Sequence, residues 1–380
     1  MRKTLTMAVV VLLLGAFPAM AQTAVRPSTP NESPAGLRKK GQELFRSSRG
    51  KNPEALTLLR KAADSGDPVA QMWMANLCWW SGGPGSDQVK ARAREFAKAG
   101  LPGAKRLAEA GDPDAQYLYG FALREAIGTS LNEKEGVKWM LSAAEKGQWP
   151  AVRFVGSFYH WGVGVEPDRE KAAQWYRKSE ALGDSHSDEM NYLKPVTSEH
   201  PFKADAIWRM PYVALFGTRM EDLPKAAVAA GVVPKDAVPS FIPSTEQADE
   251  CRYTKNGLAF SPRFGHVWTV EIYAEGVNGF GRFTGALPLG LTWDDTMESA
   301  WKKLGQPDDA GDTPDEAFGM AYIVNNITLA VMFQREMPKR VKLVRIYARW
   351  APTPQERKAL VEPSPFKVEY DHVGPWSVTP

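Results

Sequence analysis

The chain has 380 residues, 43% of them apolar, and a formal net charge of +3, which fits two or three domains with cores of their own. Arg2 and Lys3 supply two of those charges in a segment that reads as removable, leaving +1, so charge gives no reason to expect nucleic acid or an anionic membrane as partner. Two cysteines, Cys78 and Cys251, are too few for a disulfide framework.

Residues 1–21, MRKTLTMAVVVLLLGAFPAMA, place two cations before an apolar run and small residues at Ala19 and Ala21, the pattern of a secretory signal cleaved near Ala21. The apolar run Met7–Phe17 is too short for a hydrocarbon core of roughly 30 Å. No cysteine lies near the cleavage position, so a lipoprotein is not expected, and no later stretch is long and apolar enough for an integral membrane span. The expectation is a mature chain from Gln22 in a periplasmic compartment. Residues 22–34, QTAVRPSTPNESP, read as a disordered linker.

From Ala35 the pattern is helical and repeats. Gly111, Gly147 and Gly183 fall 36 residues apart, closing AEAGD, AEKGQ and EALGD; the same offset lays Ala115 on Ala151, Leu118 on Phe154, Gly120 on Gly156 and Trp139 on Trp175. A fixed period in this range predicts stacked helical hairpins, each unable to bury its apolar face alone. KNPEALTLLRKAADSG, residues 51–66, reads as the second helix of a first hairpin, with Pro53 in its first turn and Gly66 at its close. Gly66 to Gly111 spans 45 residues. The excess is assigned to GLPGAKRLAEAG, where Gly100, Pro102 and Gly103 are expected to break the second helix and start a short extra one. With that offset Ala70, Trp73, Ala75, Cys78 and Ser81 join the packing positions. Trp139 and Trp175, with Leu58 as the earlier equivalent, are expected in the core.

The third unit reads A-x-x-F-x-G-x-x-Y-x-x-G-x-G-V from Ala151 to Val165, then D-x-x-K-A-x-x-W-Y-x-K from Asp168 to Lys178. These residues resemble the Sel-one-like repeat family, relatives of the tetratricopeptide repeats, over about residues 35–185. In the second unit Leu123 replaces the usual tyrosine and Ile127-Gly128 occupy a shortened loop. The resemblance implies an α-α solenoid used for protein–protein contact, often in bacterial envelopes.

Residues 186–248 lose the period and hold seven prolines from Pro195 to Pro243. They read as capping helices and linker, with one helix near Pro224–Ala230. From about Asp249 the pattern turns to strands, among them 266–274, 319–324, 327–333 after the Asn325-Asn326 turn, and 341–348. DDTMESAWKKLGQP, 294–307, is a short helix that Asp294 or Asp295 can cap. The order is strand–strand–helix–strand–strand–strand, so 249–350 is expected as a small antiparallel-sheet α+β domain, followed by a tail over 351–380. The fold class expected for the whole is α+β multidomain. LPLGLTWDDTMESAWKKLGQP (287–307) resembles an element of small bacterial envelope and inhibitor domains, including immunity-type proteins, and so implies a binding domain.

Nothing in the sequence assembles into catalytic machinery. None of His160, His186, His200, His266 and His372 has metal-ligand spacing to another candidate on one element; SHSDE (185–189) reads as a solvated loop. No nucleophile elbow, S-x-x-K element or Walker loop occurs. GVNGFGRFTG (276–285) joins strands without opening a helix. Catalytic, cofactor and metal sites are therefore expected to be none. Export permits a Cys78–Cys251 disulfide; a buried free thiol is the simpler reading of Cys78.

With Ala115, Leu118 and their equivalents inward, another stripe of each first helix is left over: Met72, Asn76 and Trp79; Tyr117, Phe121 and Arg124; Arg153, Ser157 and His160. The i, i+4, i+7 spacing keeps each trio on one face, and these residue types anchor interfaces. They are the expected partner-binding residues, with Phe121 equally readable as packing against a neighbouring helix. Asp294, Asp295, Asp308, Asp309, Asp312 and Asp315 form an acidic rim around the later helix. The expectation is an exported, monomeric, non-enzymatic protein that binds another protein. Its sharpest form is an immunity protein that neutralises a periplasm-active effector such as a type VI lipase or cell-wall hydrolase. The alternatives are a scaffold in envelope or polysaccharide-export assembly and, third, a β-lactam or peptidoglycan hydrolase.

Overall fold

The computed structural model describes residues 33–48, 52–81, 87–194, 199–242, 250–263, 265–312, 318–334, 339–353 and 355–356. The expected signal, nearly all of the linker and the tail, Asp315 and His372 lie outside them. The chain divides into two compact units. The first takes the helices up to Tyr159, with Val163–Glu166 and Glu170–His186; the second takes His160–Gly162, Pro167–Arg169 and the chain from Ser187.

The first unit is built from α1 (Pro34–Ser47), α2 (Pro53–Asp64), α3 (Pro68–Ser81), α4 (Asp87–Glu109), α5 (Pro113–Glu125), α6 (Glu133–Glu145), α7 (Trp149–Trp161) and α8 (Arg169–Ala181). One local device closes each hairpin and leads the chain onward. Gly66, Gly111, Gly147 and Gly183 all take positive φ, the conformation glycine adopts at least cost past a helix end. The next N–H then returns to a carbonyl five residues back: Asp67 to Ala62, Asp112 to Leu107, Gln148 to Ala143 and Asp184 to Ser179. Three of those residues cap the following helix, since Asp67 accepts from the Ala70 N–H at 2.7 Å, Asp112 from Ala115 at 2.9 Å and Gln148 from Ala151 at 2.8 Å. The repeated glycine-then-polar pair is thus a helix stop fused to a helix start.

Within the hairpins, small residues let backbones touch. A Cβ on Gly120 would lie 2.5 Å from the Gly136 carbonyl oxygen, and one on Gly156 would lie 2.5 Å from the Tyr176 ring. The large residues that fill those places are Leu59, Met140 and Tyr176, each fully buried. They sit one position after Leu58, Trp139 and Trp175, which are only half-buried, so the core position of the second helices is shifted by one from the expected tryptophans. Trp139 instead takes the edge of Tyr119, and the Lys178 ammonium lies 3.9 Å over the Trp175 ring.

Two further expectations are corrected. α4 does not break at Gly100–Gly103; it runs through Pro102, so the extra residues lengthen one helix. Proline costs that helix a hydrogen bond, but the flanking glycines dock it against the start of α3, where a Cβ on Gly100 would lie 2.7 Å from the Pro68 carbonyl oxygen. Packing outweighs propensity here. The loop at Ile127-Gly128 is not shortened either, because the α5–α6 and α7–α8 connections have equal length and Ala126 and Gly128 repeat the positive φ of Gly162 and Gly164.

The second unit holds α9 (Ser187–Tyr192), α10 (Ala204–Trp208), α11 (Leu223–Ala229), α12 (Met297–Leu304) and eight strands: β1 (Ser240–Ile242), β2 (Glu250–Tyr253), β3 (Leu258–Arg263), β4 (His266–Tyr273), β5 (Asp309–Asp312), β6 (Phe318–Val324), β7 (Ile327–Phe333) and β8 (Val341–Ala348). They form one sheet in the order β1-β2-β3-β4-β8-β7-β6-β5, antiparallel at every pairing. Two cross-strand rows make its core face. One is Cys251, Phe260, Val270, Ile346, Leu329 and Tyr322; the other is Tyr253, Leu258, Ile272, Val344, Val331 and Met320, and all twelve are buried. On the other face Tyr273 and Phe280 stack at 3.9 Å over a smaller cluster with Ala259, Met332 and Leu343.

Residues 199–231 belong to this unit and pack on its core face, whereas the sequence suggested capping helices and linker. Trp208 donates to Asn326 at 3.0 Å, Phe216 meets Trp208 and Trp268 edge-on, and Phe202 meets Tyr322 edge-on. β1 also lies before the expected start of the sheet. The cap of α12 is Thr296, which accepts from the Ser299 N–H. Asp295 is instead buried among Thr292, Ser299 and Lys303, and these partners hold its carboxyl below the usual range against the cost of burial. Cys78 and Cys251 are buried thiols not joined in a disulfide, pushed up by burial to about 11 and about 12.

Candidate protein-binding site on the repeat helices

The first helices of the four hairpins carry a continuous file of aromatic rings. Phe45 of α1 meets Trp73 of α3 at 5.9 Å, Trp73 meets Tyr117 of α5 at 6.1 Å, and Tyr117 stacks on Phe154 of α7 at 6.3 Å. A branch passes from Phe121 to Trp80 at 5.8 Å and from Trp80 to Phe154 at 6.0 Å, with nearly parallel planes in the second pair. The file forms because each first helix places large residues one turn apart on the side facing its equivalents.

The nine residues expected at the surface are distributed unevenly along this file. Met72, Asn76, Tyr117, Phe121, Arg124 and His160 are buried, which corrects the expectation that the whole stripe stands free. Asn76 donates to the Tyr117 hydroxyl at 3.2 Å, and burial pushes that phenol well above its ordinary range. The Arg124 guanidinium lies over Phe121 and Phe158 and pairs with Glu125. Trp79 and Ser157 are half-buried and Arg153 is exposed. Trp79 donates to Glu125 at 3.3 Å, while the Lys90 and Arg94 cations lie over its ring. Ser157 accepts from the Tyr176 hydroxyl.

His160 belongs to the second unit. Its Nε2 lies 2.5 Å from the Arg349 carbonyl oxygen, and its own carbonyl accepts from the Ala351 N–H. Burial lowers its pKa to about 4, so at neutral pH the ring is uncharged, with Nε2–H as the donor to that carbonyl.

The residues missed by sequence reasoning are the half-buried Phe45, Trp80 and Phe154. The signal was the Trp79-Trp80 doublet: the stripe that faces its neighbours runs Trp73, Trp80 rather than Met72, Trp79, a rotation of one residue.

His186, His200 and Asp294 have structural partners. His186 contacts Ser179 at 3.0 Å and stacks on Tyr176; His200 contacts Asp308 at 2.9 Å; Asp294 pairs with Arg340. Among the described residues no group of three or more His, Cys, Asp or Glu side chains could hold a metal ion, and no helix is long and apolar enough to cross a membrane.

Comparison with known proteins agrees with the hairpin geometry. The Sel1 repeat family model matches residues 48–67, 113–148 and 149–184, and passes over the hairpin with the long α4. A putative sel1-like repeat-containing protein of Acanthamoeba polyphaga mimivirus is 35% identical over 75 residues, 20% of this chain and 14% of that protein. Two solved structures are similar: a Sel1 repeat protein from Oxalobacter formigenes (23% identity, 42% of this chain and 64% of that one, TM-score 0.27) and a protective antigen of uropathogenic Escherichia coli displaying an SLR fold (20% identity, 55% and 44%, TM-score 0.27). The chain spans less than two thirds of the length of each of these relatives. Sel1 repeats indicate a protein-binding scaffold role, and the first unit of this chain is similar to them over those residues.

Proposed function

We propose that this chain is an exported binding protein whose repeat helices hold a protein partner along Phe45, Trp79, Trp80, Arg153, Phe154 and Ser157. The partner in this reading is an effector active in the periplasm, which the chain neutralises as an immunity protein. The observation that carries the reading is the aromatic file, which passes through all four hairpins and surfaces at three half-buried rings. Aromatic and arginine side chains are the types that most often anchor protein interfaces. Support for export is the cationic, apolar and small-residue succession of residues 1–21.

The test is protection. Cells that direct a lipase or cell-wall hydrolase effector encoded beside this chain to the periplasm should survive with the full-length chain and die when residues 2–21 are deleted. The purified effector should co-elute with the chain. Survival independent of residues 2–21 removes the exported reading, and absence of co-elution with every such effector removes the immunity reading.

A further inference from the structure

The two edges of the sheet are treated differently. At one, β5 is Asp-Ala-Gly-Asp, a short charged strand of the kind that blunts an edge. The core-face row beside it ends at Tyr322, which is roofed by the rings of His200 and Phe202. At the other edge, β1 is Ser-Phe-Ile with all three residues exposed. Phe241 is in register with Cys251 and so ends the core-face row that begins at Tyr322. Six members of that row are fully buried; Phe241 is 46% exposed. Val238, before the strand, is 84% exposed, and Ile242, on the opposite face of β1, is 37% exposed. The hydrophobic row therefore continues one strand past the point where the fold covers it, alongside a backbone edge with no strand beside it among the described residues.

We propose that the outer edge of β1 is a strand-addition site for a short extended segment of a protein partner, apolar at the position beside Phe241. The inference rests on the reading of the chain as a protein-binding protein and names a second place where partner chain is held. An added strand supplies backbone groups to the edge and an apolar side chain to the open end of the row, so main-chain pairing gives affinity and the Phe241 neighbour gives selectivity. Pro239 and Pro243 bracket the strand. Neither has an N–H to donate, so the pairing is short, and it favours a partner chain over a second copy, which would bring two more prolines to the same ladder.

The test uses the full-length protein and a labelled heptapeptide of alternating threonine and valine with a lysine at each end, followed by fluorescence anisotropy. Saturable binding is expected, weakened at least tenfold by Phe241→Asp and by N-methylation of alternate peptide amides. Trp301→Asp, at an exposed site on α12, should leave it unchanged. An unaltered thermal midpoint for Phe241→Asp keeps the comparison free of unfolding; should that variant unfold, the N-methylated peptide carries the test alone. No saturable binding, or binding indifferent to N-methylation, overturns the proposal. So does a dimer that Phe241→Asp dissociates, which makes a second copy the occupant, and so does binding seen only after deletion of residues 357–380, which makes the chain's own end the occupant. No effector enters this experiment, so its failure leaves the immunity reading standing, and failure of that reading leaves this one standing.

Discussion

The repeat unit is set by its smallest residues and the sheet unit by its largest. Between α5 and α6, Gly120 and Gly136 bring two backbones so close that each would drive a Cβ to 2.5 Å from the other's carbonyl oxygen. In the sheet, positions of equal importance are Phe260, Val270, Ile346 and Leu329, which fill one buried row. The first unit should thus fail when atoms are added and the second when atoms are removed. Backbone proximity has no slack for a methyl group, and a filled row loses transfer energy and gains a cavity when truncated.

The largest expected effect is in the sheet. Phe260→Ala should cost about 3–5 kcal/mol, read by chemical denaturation with a probe in the second unit, while the helical signal of the repeats persists. A uniform loss across both probes would mean that the units do not melt as separate cores.

Next comes acid. The unfolded His160 imidazole titrates near 6.5 and the folded one near 4. Between those values the unfolded chain binds the additional proton, so the contribution is complete above about pH 6.5 and is lost as pH falls toward 4, on the order of 3 kcal/mol. The burial of the ring is the main cause, with the neighbouring Arg263 and Arg349 cations acting in the same direction. His160→Asn, which does not titrate, should flatten this part of the stability-versus-pH curve; an unchanged slope would place its origin elsewhere.

In the repeats, Gly120→Ala should cost about 1–3 kcal/mol by overpacking, measured by thermal melting of the helical signal. A neutral outcome would show that α5 and α6 can separate at little cost. The smallest effect has the opposite sign. Ala126 ends α5 at a φ of 54°, where the following repeat has Gly162 at 64°. Ala126→Gly relieves that strain and should stabilise the unit by up to about 1 kcal/mol, visible as a small rise in the melting midpoint.

The same contrast explains what was legible in the sequence. Hairpins were legible because Gly66, Gly111, Gly147 and Gly183 recur with their capping partners, and a period of identical local devices is visible without knowing any contact. The strands 327–333 and 341–348 were legible because their residues are apolar, β-branched or aromatic. β5 was not, because Asp309, Gly311 and Asp312 carry no strand preference and become a strand only by pairing with Phe318–Ala321. The continuity of α4 through Pro102 was hidden for a similar reason: Gly100 and Gly103 read as breakers, whereas they serve the close packing on Pro68. The candidate site was half legible. The first helices were the right elements, but periodicity alone fixes a helix face only to within about one residue, roughly 100° of rotation, and that difference separates the expected Met72 and Trp79 from Trp73 and Trp80, which join the ring file.

The most direct test of the central claim is the affinity of the full-length chain for a co-eluting effector, measured by titration calorimetry with Trp80→Ser beside the unaltered protein. The account predicts at least a tenfold loss with the helical content preserved. Undiminished affinity in a folded Trp80→Ser protein would contradict it.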